Sequence, residues 1–394
     1  MNRFRFKLPA FAAAGVMIGS VACGGSDDAP RAARAGVPQE CTSRTEGSRW
    51  ASGTAEYTES GTYGTAGEDH WIEEIGGIAS LDSLIFVYDA GRARIVALDR
   101  GLRPVRVFGR EGQGPGELKR ERDMGWRGRG WRWLDIADGK VAVFDGTRIQ
   151  LFTPDGSGAD ESFRGAVRSG AVTFETDRLR FWNGELVAAS GGYRENAPQG
   201  TVPNTWTLYR NGSRTSRPIL SLALTPRPAD ANGVPFTGPE QAVPVWDLLN
   251  GCIVAGDGTG RWLVRSDLQG RAVDTLQLEI PDLGRPKVDA EQMERLLGMG
   301  GKGRRGGYLR PSALRQIELI TIDPDGYAWI LPVQDSAAAG SGIEVIRMSL
   351  QSGAAKRDTV PAFPLAFGEP GVFYARGGDR EEPVIARYQL GPSR

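Results

Sequence analysis

Acidic side chains are the residues of this chain whose positions could most directly support chemistry. Glu74, Asp135, Asp247 and Asp323 each lie near the expected start of a strand-rich segment. If these starts converge on one axis, the carboxylates could surround a divalent metal ion and support a hydrolase- or lactonase-type reaction. The 48 acidic residues are an ordinary number for a chain of this length, so the pattern alone does not establish such a site.

Histidine contributes little to any catalytic interpretation. His70 is the one histidine of the sequence, and it lies in a polar run just before Trp71. A metal site with several histidine ligands is therefore excluded, and no G-x-S-x-G nucleophile motif is present. We interpret His70 as a surface or sheet-edge residue and assign no catalytic residue, cofactor-binding residue or metal ligand.

A glycine-rich loop at Gly112–Gly116 superficially resembles a phosphate-binding loop. Phosphate loops lie between a strand and a helix whose N-terminus holds the anion. Here Pro115 removes an N–H, and the residues that follow do not read as an amphipathic helix. We expect a connecting loop in which Arg110 and Glu117 pair.

Two further segments resemble fragments of a calcium loop, 323–326 (DPDG) and 256–260 (GDGTG). Neither has the number of spaced oxygen ligands or the closing bidentate acid that such loops need. Because Asp-Gly is a strong turn signal, hairpin turns are the favoured interpretation of both.

Aromatic and basic residues alternate in MGWRGRGWRW, which contains Trp126, Trp131 and Trp133. The segment could form a stacking surface for sugar rings or aromatic groups, with the arginines as cation–π partners. The alternative is that the tryptophans pack between sheets while the arginines face solvent. We favour this structural interpretation.

Composition argues against a nucleic-acid partner. The 394-residue chain carries 48 basic and 48 acidic residues, so its net charge is zero and no long-range field attracts polyanions. The hydrophobic fraction of 40% and the 55 glycines are typical of a folded protein with many tight turns.

The N-terminus reads as a signal peptide over residues 1–22. Arg3, Arg5 and Lys7 precede an apolar run of about 15 residues, which is too short to span a membrane. The run ends in small residues before Cys23. The segment Ser20–Gly25 resembles the lipobox of bacterial lipoproteins, with Ser20 where leucine is usual.

The lipobox resemblance implies lipidation of Cys23 and stable membrane anchoring by several acyl chains. Gly24 and Gly25 lack the acidic residue that retains lipoproteins on the inner membrane, which weakly favours the outer membrane. Residues 23–48 form a small, polar, flexible tether. Cys41 and Cys252 remain as a candidate disulfide in an oxidising compartment; a free Cys41 with a buried Cys252 is the open alternative.

A repeated strand–turn–strand phrase dominates the rest of the chain. One copy is Leu84–Leu118 and a second is Val141–Gly156. Turn glycines recur at about 55-residue spacing, which fits a four-stranded sheet with long loops. We place units near 71–118, 119–170, 171–236, 240–284, 312–361 and 362–394, with a helical insert at about 287–311. The last unit is short, and the segment from Trp50 to Tyr63 could complete it.

The phrase VYDAGRARIVALDRGLRPVRVFGREGQGPGEL resembles NHL-type repeats, and more specifically the six-bladed β-propeller lipoproteins of bacteria. The residues that match the loop of those proteins are Phe108, Gly109, Arg110, Gly112, Gly114, Pro115, Gly116 and Glu117. The resemblance implies an all-β, six-bladed propeller over residues 49–394, closed by the N-terminal strand. It implies little about function, because propellers carry many unrelated activities.

Together these observations predict an exported, lipid-anchored propeller that binds a ligand or protein at the bacterial cell envelope. Its partner would be an envelope protein, a peptide or a glycan, and the propeller itself is expected to be a monomer. The expected recognition surface is the loop-rich face and the mouth of the central channel. The alternatives are the metal-dependent propeller hydrolase or lactonase introduced above and a purely structural envelope protein.

Overall fold

Two-residue turns fold the repeated phrase into antiparallel hairpins. In the computed structural model, Asp138 and Gly139 both have positive φ (46° and 73°) between two strands, as do Asn183 and Gly184. This conformation matches the right-handed twist of the flanking strands, and it favours Asp, Asn and Gly. The structure describes residues 41, 50, 56–65, 71–120, 133–146, 148–162, 178–192, 201–211, 216–228, 244–260, 262–270, 272–278, 317–333, 342–378 and 382–391.

The described strands form six four-stranded antiparallel sheets, the blades of a six-bladed β-propeller. Blade one contains β2 (Ile75–Leu81), β3 (Leu84–Asp89), β4 (Arg94–Asp99) and β5 (Pro104–Phe108). A short parallel pair follows it, β6 (Arg110–Glu111) and β7 (Glu117–Leu118). Blade two contains β8 (Leu134–Ala137), β9 (Lys140–Phe144), β10 (Ile149–Phe152) and β11 (Ala159–Ser162).

The next blades keep the same order. Blade three contains β12 (Leu179–Trp182), β13 (Glu185–Gly192), β14 (Thr201–Asn211) and β15 (Ser216–Pro228). Blade four contains β16 (Val245–Leu249), β17 (Cys252–Gly256), β18 (Trp262–Asp267) and β19 (Ala272–Gln277). Blade five contains β20 (Ile317–Ile322), β21 (Tyr327–Pro332), β22 (Ile343–Ser349) and β23 (Ala355–Val360).

Blade six joins the two ends of the described chain. It contains β24 (Ala366–Phe367), β25 (Val372–Gly378), β26 (Pro383–Leu390) and, as its outer strand, β1 (Tyr57–Tyr63). The ladder of β1 and β26 begins at Tyr57 opposite Leu390 and ends at Tyr63 opposite Ile385. This pairing confirms that the segment before blade one completes the last blade. The exposed edge of β26 is thereby paired and the ring is closed.

The Asp and Arg that recur in the repeated phrase form ion pairs inside the blades. In blade one, Arg94 donates from Nε to Asp89 at 3.0 Å, and Asp89 also accepts the N–H groups of Glu73 and Glu74. In blade two, Arg148 donates from Nε to Asp145 at 3.2 Å. Asp89 and Asp145 are fully buried. A buried carboxylate with several donors is what such a position requires.

Apolar side chains pack between neighbouring blades. One cluster joins blades one to three through Phe86, Phe144 and Leu186. Another joins blades four and five, and Trp329 and Phe367 contact across blades five and six with ring centroids 6.0 Å apart. The innermost strands of blades one, two and three also lie side by side. The core is therefore a series of interfaces between blades that surround the axis.

A disulfide joins Cys41 to Cys252 at the start of β17, with the sulfurs 2.10 Å apart. Both cysteines are buried in the cluster of blades four and five. The bond attaches the segment that precedes the propeller to the opposite part of the ring from blade one.

Several predicted features lie outside the described residues. These are the signal peptide, Cys23, most of the tether, and the helical insert near 287–311. Within the described part of the chain, no helix has the length and apolar character needed to cross a membrane.

Candidate functional site: a cavity at the propeller axis

A cavity of about 280 Å³ lies where the six innermost strands meet. Every blade contributes to its wall through β2, β8, β12, β16, β20 or β24. Its lining includes Ile78, Ser80, Asp135, Ile136, Arg180, Phe181, Trp182, Asp247, Leu248, Asn250, Thr321, Ile322, Leu365 and Phe367. The cavity is thus a product of ring closure and not of any single repeat.

The cavity lies toward the C-terminal ends of the innermost strands. Trp182 is the last residue of β12, and Asn250 belongs to the tight turn between β16 and β17. Among the described residues, short hairpins border this part of the channel. Most of the long connections between blades, such as 163–177 and 279–316, lie outside the described residues.

Arg180 bridges two carboxylates in this cavity. Its Nε donates to Asp247 Oδ1 at 2.6 Å, and its Nη1 donates to Asp135 Oδ1 at 3.2 Å. The three residues come from three adjacent blades, through β12, β16 and β8. The bridge therefore joins blades two, three and four around the axis.

A second arginine, Arg178, contacts one carboxylate of the bridge. Arg178, two residues earlier in the chain, lies 2.5 Å from Asp247 Oδ1 through Nη1 and also donates to the carbonyl of Ile320. Its guanidinium lies over the ring of Trp246, 6.0 Å from the centroid. The Arg178 side chain is only 3% exposed, whereas that of Arg180 is 18% exposed. Arg180 is therefore the arginine that reaches the cavity.

Backbone groups complete the coordination of both carboxylates. The second oxygen of Asp135 accepts the N–H of Phe181 at 2.9 Å, and the second oxygen of Asp247 accepts the N–H of Ile322 at 2.8 Å. Each carboxylate oxygen of the pair thus accepts at least one N–H group. A metal ion could use these oxygens only by displacing hydrogen bonds from Arg180 or the backbone.

Burial and charge act in opposite directions on the ionisation of this network. Burial raises the pKa of Asp135, and the positive charge of Arg180 offsets part of that effect. Burial works to lower the pKa of Arg180, but the charges of Asp247 and Asp135 outweigh it and raise the pKa. Arg180 is therefore a permanent cation of the cavity.

The structure brings two of the four predicted acids together and separates the others. Asp135 and Asp247 line the cavity, whereas Glu74 and Asp323 do not. Asp323 instead organises a turn: its Oδ1 accepts the N–H groups of Asp325 and Tyr327, and its Oδ2 accepts the indole N–H of Trp329. Among the described residues, no group of three or more His, Cys, Asp or Glu side chains could hold a metal ion.

Sequence reasoning missed the two arginines. Arg178 lies immediately before β12, and Arg180 is the second residue of that strand; both guanidinium groups contact Asp247. A charged residue within an innermost strand, such as Arg180, could have been identified as a channel-lining signal. Both arginines were overlooked because arginine is abundant in this chain.

The glycine-rich loop contains its own carboxylate. Glu117 Oε2 accepts the N–H groups of Gln113 and Gly114 at 2.9 and 2.8 Å, and its Oε1 lies 2.9 Å from Arg110 Nη2. A Cβ at Gly112 would overlap Glu117 Oε2. The predicted Arg110–Glu117 pair is confirmed, and the anion position of the loop is occupied by a side chain of the protein.

The other predicted motifs also have structural roles where the structure describes them. Asp257 accepts the N–H and hydroxyl of Thr259, forming a local turn. Trp133 is buried in the cluster that joins blades one to three, as expected for tryptophans that pack between sheets. His70, Trp126 and Trp131 lie outside the described residues.

The fold and the axial cavity define a six-bladed β-propeller with a charged, partly apolar channel site. Solved propellers share this fold at low sequence identity. A candidate exported protein of Bacteroides fragilis is 10% identical with a TM-score of 0.47, covering 87% of this chain and 97% of its own. A streptogramin B lyase is 12% identical with a TM-score of 0.43, covering 86% and 100%.

A gluconolactonase of Xanthomonas campestris is 11% identical with a TM-score of 0.42, covering 85% of this chain and 89% of its own. These similarities concern the fold alone. No protein-family profile and no curated protein sequence matches the chain.

Proposed function

We propose that this protein is an exported, lipid-anchored β-propeller that binds a ligand of the bacterial cell envelope in its axial cavity. The proposal of export rests on the cationic, apolar N-terminal segment and on Cys23 within a lipobox-like sequence. The ligand is a small molecule or a short segment of an envelope peptide, protein or glycan. The propeller acts as a monomer and binds no nucleic acid.

The observation that carries the proposal is the Arg180 bridge inside a cavity formed by all six blades. Asp135 and Asp247 hold the guanidinium in place. A charged group fixed in this way is a preorganised recognition element, because little conformational freedom is lost when a ligand binds. Half-buried Phe181 and Trp182 offer apolar surface beside it.

Capture from an envelope extract tests this function. The purified protein would be incubated with the extract, washed and denatured, and the released compounds identified by mass spectrometry. Ser80→Trp fills the cavity, whereas Ser60→Trp makes the same change on exposed β1. We expect a compound that the wild type and Ser60→Trp retain and Ser80→Trp does not. If all three proteins retained the same compounds equally, the axial cavity would not be the binding site.

A metal-dependent hydrolase or lactonase is the second candidate. It is favoured by one observation: Asp135 and Asp247, two of the acids expected around the axis, do line the cavity. In that function a divalent ion would have to compete with Arg180 for the same oxygens. Metal binding by the purified protein distinguishes the two candidates.

A further inference from the structure

Arg180 has a hydrogen-bond donor available to a ligand. Its Nε and Nη1 are directed to Asp247 and Asp135, while Nη2 has no partner among the described residues. Arg180 lines the cavity and its side chain is 18% exposed, which leaves this donor within reach of a ligand. An accessible guanidinium N–H donates to oxygen acceptors such as carbonyls, hydroxyls and carboxylates.

The charges of the site are balanced before any ligand binds. Arg178 and Arg180 contribute two positive charges, and Asp135 and Asp247 contribute two negative charges. Of these four residues, Asp135, Arg180 and Asp247 line the cavity, and no further charged residue lines it within the described part of the chain. A charged ligand would introduce an uncompensated charge into a partly buried site, and a carboxylate would also lie beside two carboxylates. Both effects oppose the binding of ions.

The remainder of the wall limits the size and polarity of a ligand. Phe181, Trp182 and Leu248 provide apolar contacts. The volume of about 280 Å³ is near the lower end of ligand cavities, which start at roughly 300 Å³. A compact molecule fits this space better than a peptide chain does.

We propose that the cavity selects an uncharged small molecule whose carbonyl or hydroxyl oxygen accepts a hydrogen bond from Arg180 Nη2 and whose apolar part contacts Phe181 and Trp182. This inference rests on the proposed function, because it assumes that the axial cavity is the binding site. It goes further by excluding organic anions and cations as preferred ligands.

Three compounds of similar shape test the proposal on the wild-type protein. Phenylacetamide is uncharged, phenylacetate is an anion and 2-phenylethylammonium is a cation. Binding would be followed by NMR through the indole N–H signal of Trp182, assigned with Trp182→Phe. We expect phenylacetamide to bind at least tenfold more tightly than either ion. This comparison needs no variant in the ion network, so a folding defect cannot obscure it.

A conservative variant then tests the role of Arg180. Arg180→Lys retains the positive charge between Asp135 and Asp247 but loses the planar set of donors. We expect it to weaken phenylacetamide binding at least tenfold, while Arg110→Lys on the exposed glycine-rich loop leaves binding unchanged. Tighter binding of either ion, or no effect of any compound on Trp182, would overturn the inference. The capture experiment provides a further test. If the compound that the wild type retains and Ser80→Trp loses is charged, the preference for uncharged ligands is wrong, whereas the proposed binding function still holds.

Discussion

The indole N–H of Trp50 donates to the backbone carbonyl of Val372 at 3.0 Å, so a residue that precedes the first strand is attached to blade six. Its ring also packs edge-on against Phe367, with centroids 5.4 Å apart. The carbonyl of Trp50 accepts the hydroxyl of Tyr57 at 2.6 Å, at the start of β1. Ring closure therefore depends on side-chain contacts of Trp50 as well as on the β1–β26 ladder.

Truncation of Trp50 should destabilise the whole ring. Trp50→Ala removes a fully buried aromatic side chain, which typically costs about 3–5 kcal/mol. Urea unfolding followed by circular dichroism measures this loss. Val105→Ala, at an exposed apolar position of β5, should change the free energy of unfolding by less than about 0.5 kcal/mol. Equal effects of the two substitutions would show that Trp50 has no special role in closure.

The Cys41–Cys252 disulfide should increase stability through its long loop. The bonded residues are 211 positions apart, and the chain-entropy account gives an upper limit of about 5 kcal/mol for such a loop. We expect the double variant Cys41→Ser/Cys252→Ser to have a lower melting temperature. A reductant should lower the melting temperature of the wild type toward the same value. A reductant effect of equal size on the double variant would contradict this assignment.

The carboxylate of Glu117 should control the order of the glycine-rich loop in a pH-dependent way. The N–H of Gly114 and then Arg110 lower the pKa of Glu117 from its usual 4.5. Because the folded pKa is lowered, the ordered loop is favoured above pH 4.5 and is lost as the pH falls through the lowered pKa. The amide NMR signals of Gln113 and Gly114 should report this transition. They should already be shifted at neutral pH in Glu117→Gln, and Glu111→Gln should leave them unchanged.

Lipidation of Cys23 is tested by replacing the residue. We expect the full-length protein, expressed in a bacterial host, to partition into the membrane fraction and to carry acyl chains that mass spectrometry detects. Cys23→Ser should be recovered in the aqueous fraction without acyl chains, because the tether has no other anchor of spanning length. Membrane recovery of Cys23→Ser in the same amount would contradict lipid anchoring.

The repeated phrase made the fold predictable from the sequence. Strand alternation and turn glycines at about 55-residue intervals indicated the blades, and the short last unit indicated closure by residues near Tyr57. These are local patterns, and the antiparallel hairpins of a propeller depend mainly on neighbouring segments. The Arg110–Glu117 pair was predictable for the same reason.

The axial site was predictable only in part. Asp135 and Asp247 were expected near the axis because each lies near the start of a blade. Their pairing with Arg180 depends on the relative rotation of three blades, which sequence periodicity does not determine. The same limitation explains why Asp323, also near a blade start, was expected at the axis although its carboxylate caps a turn.

Metal titration of the purified, metal-free protein tests the central claim most directly: Arg180, and not a metal ion, satisfies Asp135 and Asp247. Calorimetry with Ca²⁺, Mg²⁺, Mn²⁺ and Zn²⁺ would be repeated on Asp247→Asn and on Asp257→Asn, whose substitution lies in a turn outside the cavity. We predict that none of these ions binds with one-to-one stoichiometry at a site that requires Asp247. The claim would be contradicted if the wild type and Asp257→Asn each bound one ion per protein and Asp247→Asn bound none. That result would favour the metal-dependent hydrolase.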